Sequence, residues 1–194
     1  PSVVAYQLFA HVRVRVAAWQ DPWSNMNQGG YQICQSLFAI GTGGLFGMGL
    51  GQGMPKSVPV VESDFIFSAI AEEMGVIFCI FLILIYISSF IMFVNIALKM
   101  KKNFYKLCAF GLSVVLIFQV FLSIGGVTKF IPSTGVTLPL VSYGGSSVAS
   151  TVLMLAIIQG LYILREDEDE EIERYRRKGT AQRVEEAPEA QSPG

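Results

Sequence analysis

One long uncharged segment limits what this chain can fold into. Residues 74–98 contain no Asp, Glu, Lys or Arg, and the run is longer than the roughly 20 apolar residues that cross a bilayer as a helix. Two more apolar runs follow it, at residues 107–127 and about 146–164. The sequence therefore predicts an all-α polytopic membrane protein with at least three transmembrane helices.

The basic residues predict the orientation of these helices, because Lys and Arg in short loops near helix ends mark the cytoplasmic side. The connection between the second and third runs carries only Lys129. We therefore expect this connection and residues 1–63 on the outer side, and the C-terminus in the cytoplasm. The cytoplasmic assignments depend on Lys99, Lys101, Lys102 and Lys106 in the first connection, and on Arg165, Arg174, Arg176, Arg177 and Lys178 after the third run.

This topology divides the chain into an outer region (residues 1–63), a three-helix membrane region (64–164) and a charged tail (165–194). The tail has an acidic block, a basic block and few apolar residues, a composition that predicts a mostly disordered segment. The chain opens at Pro1 and shows no signal peptide. We expect further membrane helices upstream, and we do not expect a chain of this length to be active alone.

The outer region contains two unusual patterns. Residues 11–16 alternate polar and apolar side chains, which favours an extended strand, although a helix end leaving the membrane can carry the same pattern. Residues 41–53 are rich in glycine but match neither common nucleotide-binding glycine motif. For most of these glycines we expect close backbone packing in a loop that rests on the membrane.

Few residue types that perform chemistry are present. The chain has one histidine and three cysteines, and their spacing resembles no zinc site and supports no disulfide. The remaining candidates are the carboxylates Asp64, Glu72 and Glu73. Carboxylates near a bilayer usually face a cavity, a pathway or a partner charge. Taking about 100° per residue, only Asp64 and Glu72 would share a helix face.

Each of these carboxylates also has a structural explanation. Asp64 can cap the helix that follows it, since Asp is a favoured N-cap residue. For Glu72 and Glu73 we expect ion pairing with a basic residue, such as Lys129 or one in the upstream helices, rather than direct chemistry. Four basic residues supply positive charge suited to phosphate on the outer side, although each can equally extend to the membrane interface. They are Arg13, Arg15, Lys56 and Lys129.

A polar segment lies between the second and third apolar runs. Residues 133–147 are rich in Gly, Ser and Pro. Lipid cannot satisfy the N–H and C=O groups of irregular backbone, so such a segment beside membrane helices lies in water or is buried around a cavity. It is therefore a candidate part of a functional site.

Three separated motifs give this chain a resemblance to the SEDS family (shape, elongation, division and sporulation), whose members include FtsW, RodA and SpoVE. The resemblance runs from about residue 5 to residue 164. The strongest match is the polar segment, PSTGVTLPLVSYGGSS at residues 132–147. The others are GYQ and QSL at residues 30–32 and 35–37, and SDFIF and AEEMG at residues 63–67 and 71–75. Departures from the family pattern fall at Ser123, Lys129 and Phe130.

The resemblance implies a bacterial inner-membrane enzyme of about ten helices, of which this chain would supply a large outer loop and the last three. Such enzymes polymerise lipid II into glycan strands alongside a class B penicillin-binding protein. The family's catalytic aspartate maps onto Asp64. The cavity signature maps onto Ser142, Tyr143, Gly144 and Gly145.

The implied chemistry is glycosyl transfer from an undecaprenyl pyrophosphate donor, with Asp64 as the base. The departing pyrophosphate needs positive charge, from Arg13, Arg15 and Lys129 or from a divalent cation, for which the sequence shows no ligand set. Membrane lipid is an expected partner and nucleic acid is not. Two alternatives stay open: a lipid II transporter, and a non-enzymatic scaffold for the penicillin-binding protein.

Overall fold

The computed structural model describes residues 10–28, 30–53 and 63–186, and these residues are helical with no strand. Three of the helices are long and apolar enough to cross a membrane, which confirms the predicted fold class. The elements are α1 (Ala10–Gln20), a 3-10 turn (Met26–Gln28), α2 (Gly30–Gly43), α3 (Ile66–Lys99), α4 (Asn103–Val127) and α5 (Gly145–Glu186).

Helices α3 and α4 form an antiparallel hairpin that carries most of the core. Small buried residues allow the helices to approach closely near the turn that joins them, where Ala97 and Ala109 have no exposed surface. Leu161 of α5 packs into the same cluster. Towards the other end of the hairpin, the core is built from Phe67, Ala71, Cys79 and Tyr86 of α3, Val120 and Val127 of α4, and Leu138 from the connection to α5.

Helix α3 is broken at Gly75, whose φ of 82° and ψ of 172° are not helical. The glycine-rich loop after α2 satisfies the backbone groups that the break exposes. Val76 N–H donates to the Gly44 carbonyl at 3.0 Å, and Met48 N–H donates to the Glu72 carbonyl at 2.9 Å. Inserted backbone of this kind lets a membrane helix break without leaving polar groups unpaired. The break separates a short first segment, residues 66–74, from the rest of α3.

The glycine-rich loop fits against α3 because its glycines lack side chains. A Cβ atom on Gly43 would lie 2.0 Å from the Ala71 carbonyl oxygen, and one on Gly47 would lie 2.2 Å from the Glu73 carbonyl oxygen. Close backbone packing is therefore the role of Gly43 and Gly47. Others in the same loop, such as Gly41 and Gly51, have open space where a Cβ would be.

The alternating segment at residues 11–16 is part of α1, so the extended strand favoured by its pattern was wrong and the alternative of a helix was right. A strand needs a partner for its backbone groups, and the described residues contain no strand. A helix satisfies those groups internally. The helix is held at its C-terminal end, where Trp19 Nε1 donates to the Lys129 carbonyl at 3.0 Å.

The charged tail is helical where its composition predicted disorder. Helix α5 continues without a break from the membrane region to Glu186; residues 187–194 lie outside the described residues. Extending an existing helix avoids the cost of nucleating a new one. Opposite charges four residues apart add support: Arg174 lies 3.6 Å from Glu170, and Arg177 lies 3.7 Å from Glu173.

Candidate active site

The connection between α4 and α5 is held by two polar side chains from within the membrane helices. The Tyr86 hydroxyl donates to the Pro139 carbonyl at 2.6 Å, and Gln119 Nε2 donates to the Thr137 carbonyl at 3.2 Å. Gln119 lies eight residues before the end of α4, which places it about 12 Å below that end. The connection therefore dips between the helices, as irregular backbone does where it is buried in protein or lines a cavity.

Side chains of the dipping loop also stabilise its own turns. The Ser142 hydroxyl accepts a hydrogen bond from Leu138 N–H at 2.8 Å, and the Thr137 and Ser147 hydroxyls lie 2.6 Å apart. Ser142 is buried, whereas Tyr143 is 81% exposed. Of the predicted cavity residues, Ser142 thus stabilises the loop through its hydrogen bond to Leu138, whereas the Tyr143 side chain is exposed and can contact a ligand.

Asp64 lies in the turn just before α3 and lines a small cavity at the base of this loop. The cavity has a volume of about 10 Å³, which is room for about one water-sized group. The Asp64 carboxylate makes no hydrogen bond or ion pair within the part of the chain that the structure describes. The other residues lining the cavity are Leu122, Ser123, Gly126, Val127, Ser133, Thr134, Gly135 and Val136.

Asp64 does not cap α3. The N-cap residue is Phe65, and no side chain makes a capping hydrogen bond there. The structural explanation considered from the sequence was therefore wrong, and the carboxylate is left facing the cavity. Asp64 also precedes the helix, so the expected common helix face with Glu72 does not exist.

Arg15 contacts the loop that lines this cavity. Its Nη1 donates to the Ser133 carbonyl at 3.0 Å. A Cβ atom placed on Gly135 would lie 3.4 Å from Asp64 Oδ2 and 3.8 Å from Arg15 Nη1. Gly135 adopts a positive φ of 70°, and both the carboxylate and the guanidinium therefore lie close to a loop residue without a side chain.

The other predicted basic residues lie elsewhere. Arg13 is exposed on α1, about 200° around the helix from Arg15. The backbone of Lys129 binds Trp19, and its charge acts on Asp21. The pKa of Asp21 is lowered by hydrogen bonds from Ser24 and, to a smaller extent, by the charge of Lys129. Lys56 lies outside the described residues.

Glu72 and Glu73 belong to the break in α3 and do not line the Asp64 cavity. Glu72 is 6% exposed, and a Cβ atom on Gly53 would lie 3.0 Å from its side chain. Glu73 Oε1 accepts a hydrogen bond from Gly51 N–H at 3.2 Å. Within the described residues the partner of Glu73 is thus a backbone amide of the glycine-rich loop, and its pairing with a basic residue of the upstream helices stays a prediction.

A second, larger cavity of about 830 Å³ opens beside the start of α5. All four residues of the predicted cavity signature line it, and Asp64 does not. The predicted site residues thus fall into two neighbouring places rather than one. Residues lining this cavity are Val141, Ser142, Tyr143, Gly144, Gly145, Val148, Ala149, Val152, Leu153 and Ala156.

Four residues important to this geometry were not predicted as part of the site. Tyr86 and Gln119 are polar residues inside apolar runs, and that polarity was a usable signal. Gly135 lies within the recognised motif, where its positive φ is not visible. Ser123 was noticed only as a departure from the family pattern. Within the described residues, no group of three His, Cys, Asp or Glu side chains is placed to hold a metal ion.

Replacing Tyr86 with Phe should destabilise the protein. The change leaves the buried Pro139 carbonyl without its donor, and an unsatisfied buried acceptor costs about 1–3 kcal/mol. We expect a lower thermal unfolding temperature in detergent. Tyr175→Phe is the matched control, because the Tyr175 side chain is 76% exposed. Equal unfolding temperatures for the two variants would contradict the anchoring role of Tyr86.

Comparison with known proteins gives matches over most of this chain. The family model described as cell cycle protein, for FtsW, RodA and SpoVE, matches residues 1–166. The peptidoglycan glycosyltransferases RodA of Mycobacterium tuberculosis and Mycobacterium leprae are 45% and 44% identical over 157 residues, 81% of this chain and 34% of each relative. The probable peptidoglycan glycosyltransferase FtsW of Francisella salina is 41% identical over 149 residues, 74% of this chain and 37% of that protein. The chain spans about a third of the length of these curated relatives.

Proposed function

Because the chain belongs to the FtsW, RodA and SpoVE family of cell cycle proteins, we propose that its protein is a peptidoglycan glycosyltransferase that polymerises lipid II into glycan strands. The names of its relatives support this activity. The observation that carries the proposal is the Asp64 carboxylate, which lines a small cavity without a hydrogen bond to any described residue and lies near Arg15.

In the proposed reaction, Asp64 is the general base. The 4-hydroxyl oxygen of the acceptor sugar bonds to the anomeric carbon of the donor. The bond from that carbon to undecaprenyl pyrophosphate breaks, and the hydroxyl proton passes to the Asp64 carboxylate. A base must lie within hydrogen-bond reach of the proton that it takes. A carboxylate with no competing partner among the described residues suits this role.

Arg15 is proposed to stabilise the departing pyrophosphate. A guanidinium has five N–H donors in a planar fork that matches phosphate oxygens, and the structure gives Arg15 one hydrogen bond, to the Ser133 carbonyl. The proposed mechanism assigns this charge to Arg15, alone or together with a divalent cation bound by the full-length protein.

Replacing Arg15 with Gln should lower kcat/KM for lipid II by about tenfold or more, because a charge-assisted hydrogen bond is lost. Arg13→Gln is the matched control: it removes the same charge two residues away on another face of α1. We expect at most a twofold effect from that control. The measurement is the initial rate of strand formation over a range of lipid II concentrations. Equal losses in the two variants would indicate general attraction by the outer surface rather than a specific contact.

The protein's placement in the cell is part of the same proposal. Three apolar helices and the family indicate a multi-pass membrane protein. The distribution of Lys and Arg supports the bacterial inner membrane with a cytoplasmic C-terminus. In this orientation the Asp64 cavity faces outward, where strands are assembled. We propose a class B penicillin-binding protein as the partner that cross-links the strands, and membrane lipid as the surrounding contact.

The proposal is tested with the natural protein at its full length, purified with its cognate class B penicillin-binding protein and given purified lipid II while cross-linking is blocked. We expect glycan strands that a muramidase digests. If no strands form but fluorescent lipid II crosses vesicle membranes, the protein is a transporter. If neither occurs while the complex with the penicillin-binding protein is intact, the protein is a scaffold.

A further inference from the structure

Ser123 of α4 carries a buried hydroxyl with no hydrogen-bond partner in the described structure. The residue is 3% exposed and lines the same cavity as Asp64. A buried hydroxyl without a hydrogen bond costs free energy, and more so where lipid surrounds the helices. The missing hydrogen bond of Ser123 therefore needs an explanation.

Other hydroxyl groups on α4 do not have this cost, because they are hydrogen-bonded. Ser113 Oγ donates to the Ala109 carbonyl at 2.7 Å, and at the helix end Thr128 Oγ1 donates to the Ile124 carbonyl at 2.9 Å. This bond to the carbonyl four residues earlier is the usual choice for Ser and Thr in a helix. Ser123 does not make it. Its hydroxyl is left without this bond, beside the cavity that the residue lines.

The cavity restricts what Ser123 can bind. At about 10 Å³ it admits roughly one water-sized group, and one of its walls is the Asp64 carboxylate. A single hydroxyl of a sugar has the right size, and its oxygen can accept a hydrogen bond while its proton goes to a carboxylate. A phosphate or a ring does not fit.

We propose that Ser123 donates a hydrogen bond to the acceptor sugar hydroxyl from which Asp64 takes the proton. This inference rests on the proposed function. Ser123 thereby fixes the attacking oxygen in position, with one lone pair bound and the other directed at the donor. The acceptor is recognised at this point by one hydroxyl group.

Ser123→Ala tests the proposal in the natural full-length protein, with Ser113→Ala as the matched control on the same helix. We expect KM for lipid II to rise about five- to tenfold with kcat little changed, because the lost bond exists before as well as during reaction. The thermal unfolding temperature should not fall, since removing an orphaned buried hydroxyl is neutral or stabilising. The control should keep its KM.

The possible results separate the inference from the proposed function. Wild-type kinetics in Ser123→Ala, with polymer from the wild type and none from Asp64→Asn, would overturn the role of Ser123 and keep the function. An unchanged KM would also result if Ser123 held only a water molecule, which overturns the proposal equally. A lower unfolding temperature with a lower rate would make Ser123 a packing residue. No polymer from the wild type would overturn both.

Discussion

Replacing Asp64 with Asn should abolish glycan polymerisation without unfolding the protein. Asn has nearly the same shape but cannot take the acceptor's proton, and general base catalysis contributes about a factor of 10² to 10⁴ in rate. The fold should survive because the Asp64 carboxylate makes no hydrogen bond or ion pair with the described residues and does not cap α3. The measurement is strand formation from lipid II, together with thermal unfolding of the same preparation.

Asp21→Asn is the control for this substitution. It removes one negative charge from the same side of the membrane, in the turn after α1, where the carboxylate accepts hydrogen bonds from Ser24. We expect polymerisation within about twofold of the wild type, since a charge distant from the reacting atoms contributes little in water. Polymer from Asp64→Asn at the wild-type rate would refute the role of Asp64 as base.

Replacing Gly75 with Ala should have the largest effect on stability. The φ and ψ of Gly75, 82° and 172°, lie in a region that only glycine adopts without strain. A Cβ there would also lie 2.4 Å from the Leu45 carbonyl oxygen. Strain and overpacking together should cost about 3–5 kcal/mol. We expect the glycine-rich loop to separate from α3, with a large fall in unfolding temperature and in the yield of monodisperse protein.

Gly111→Ala makes the same chemical change on α4, where nothing lies within 4 Å of the new methyl group. Alanine is the better helix former by about 1 kcal/mol, so this control should be neutral or slightly stabilising. A Gly75→Ala protein that unfolds at the control's temperature would show that the break in α3 does not depend on glycine.

The membrane helices could be predicted from the sequence because hydrophobicity alone decides them. The break in α3 could not. The apolar run begins at Met74, yet the helix begins eight residues earlier at Ile66. The segment before the break contains Glu72 and Glu73, and the glycine-rich loop buries the first and binds the second. Such contacts join distant parts of the chain and leave no local pattern.

The candidate site divides in the same way. Asp64 was identified through a motif, while its local sequence equally predicted a helix cap. Arg13, Arg15 and Lys129 could not be distinguished from the sequence, because the charge of a residue does not show where its side chain lies in the fold. Only the fold places the Arg15 guanidinium at Ser133 and the Lys129 backbone at Trp19.

The Arg15 contact with Ser133 has a consequence for biosynthesis. The two residues are 118 positions apart, and the cavity also needs Asp64 from the middle of the chain. A ribosome delivers these segments in order, so α1 is made long before the loop that it contacts. A partly inserted chain therefore has the carboxylate but neither the loop nor the bound guanidinium. The site comes into existence only once the loop between α4 and α5 has been made.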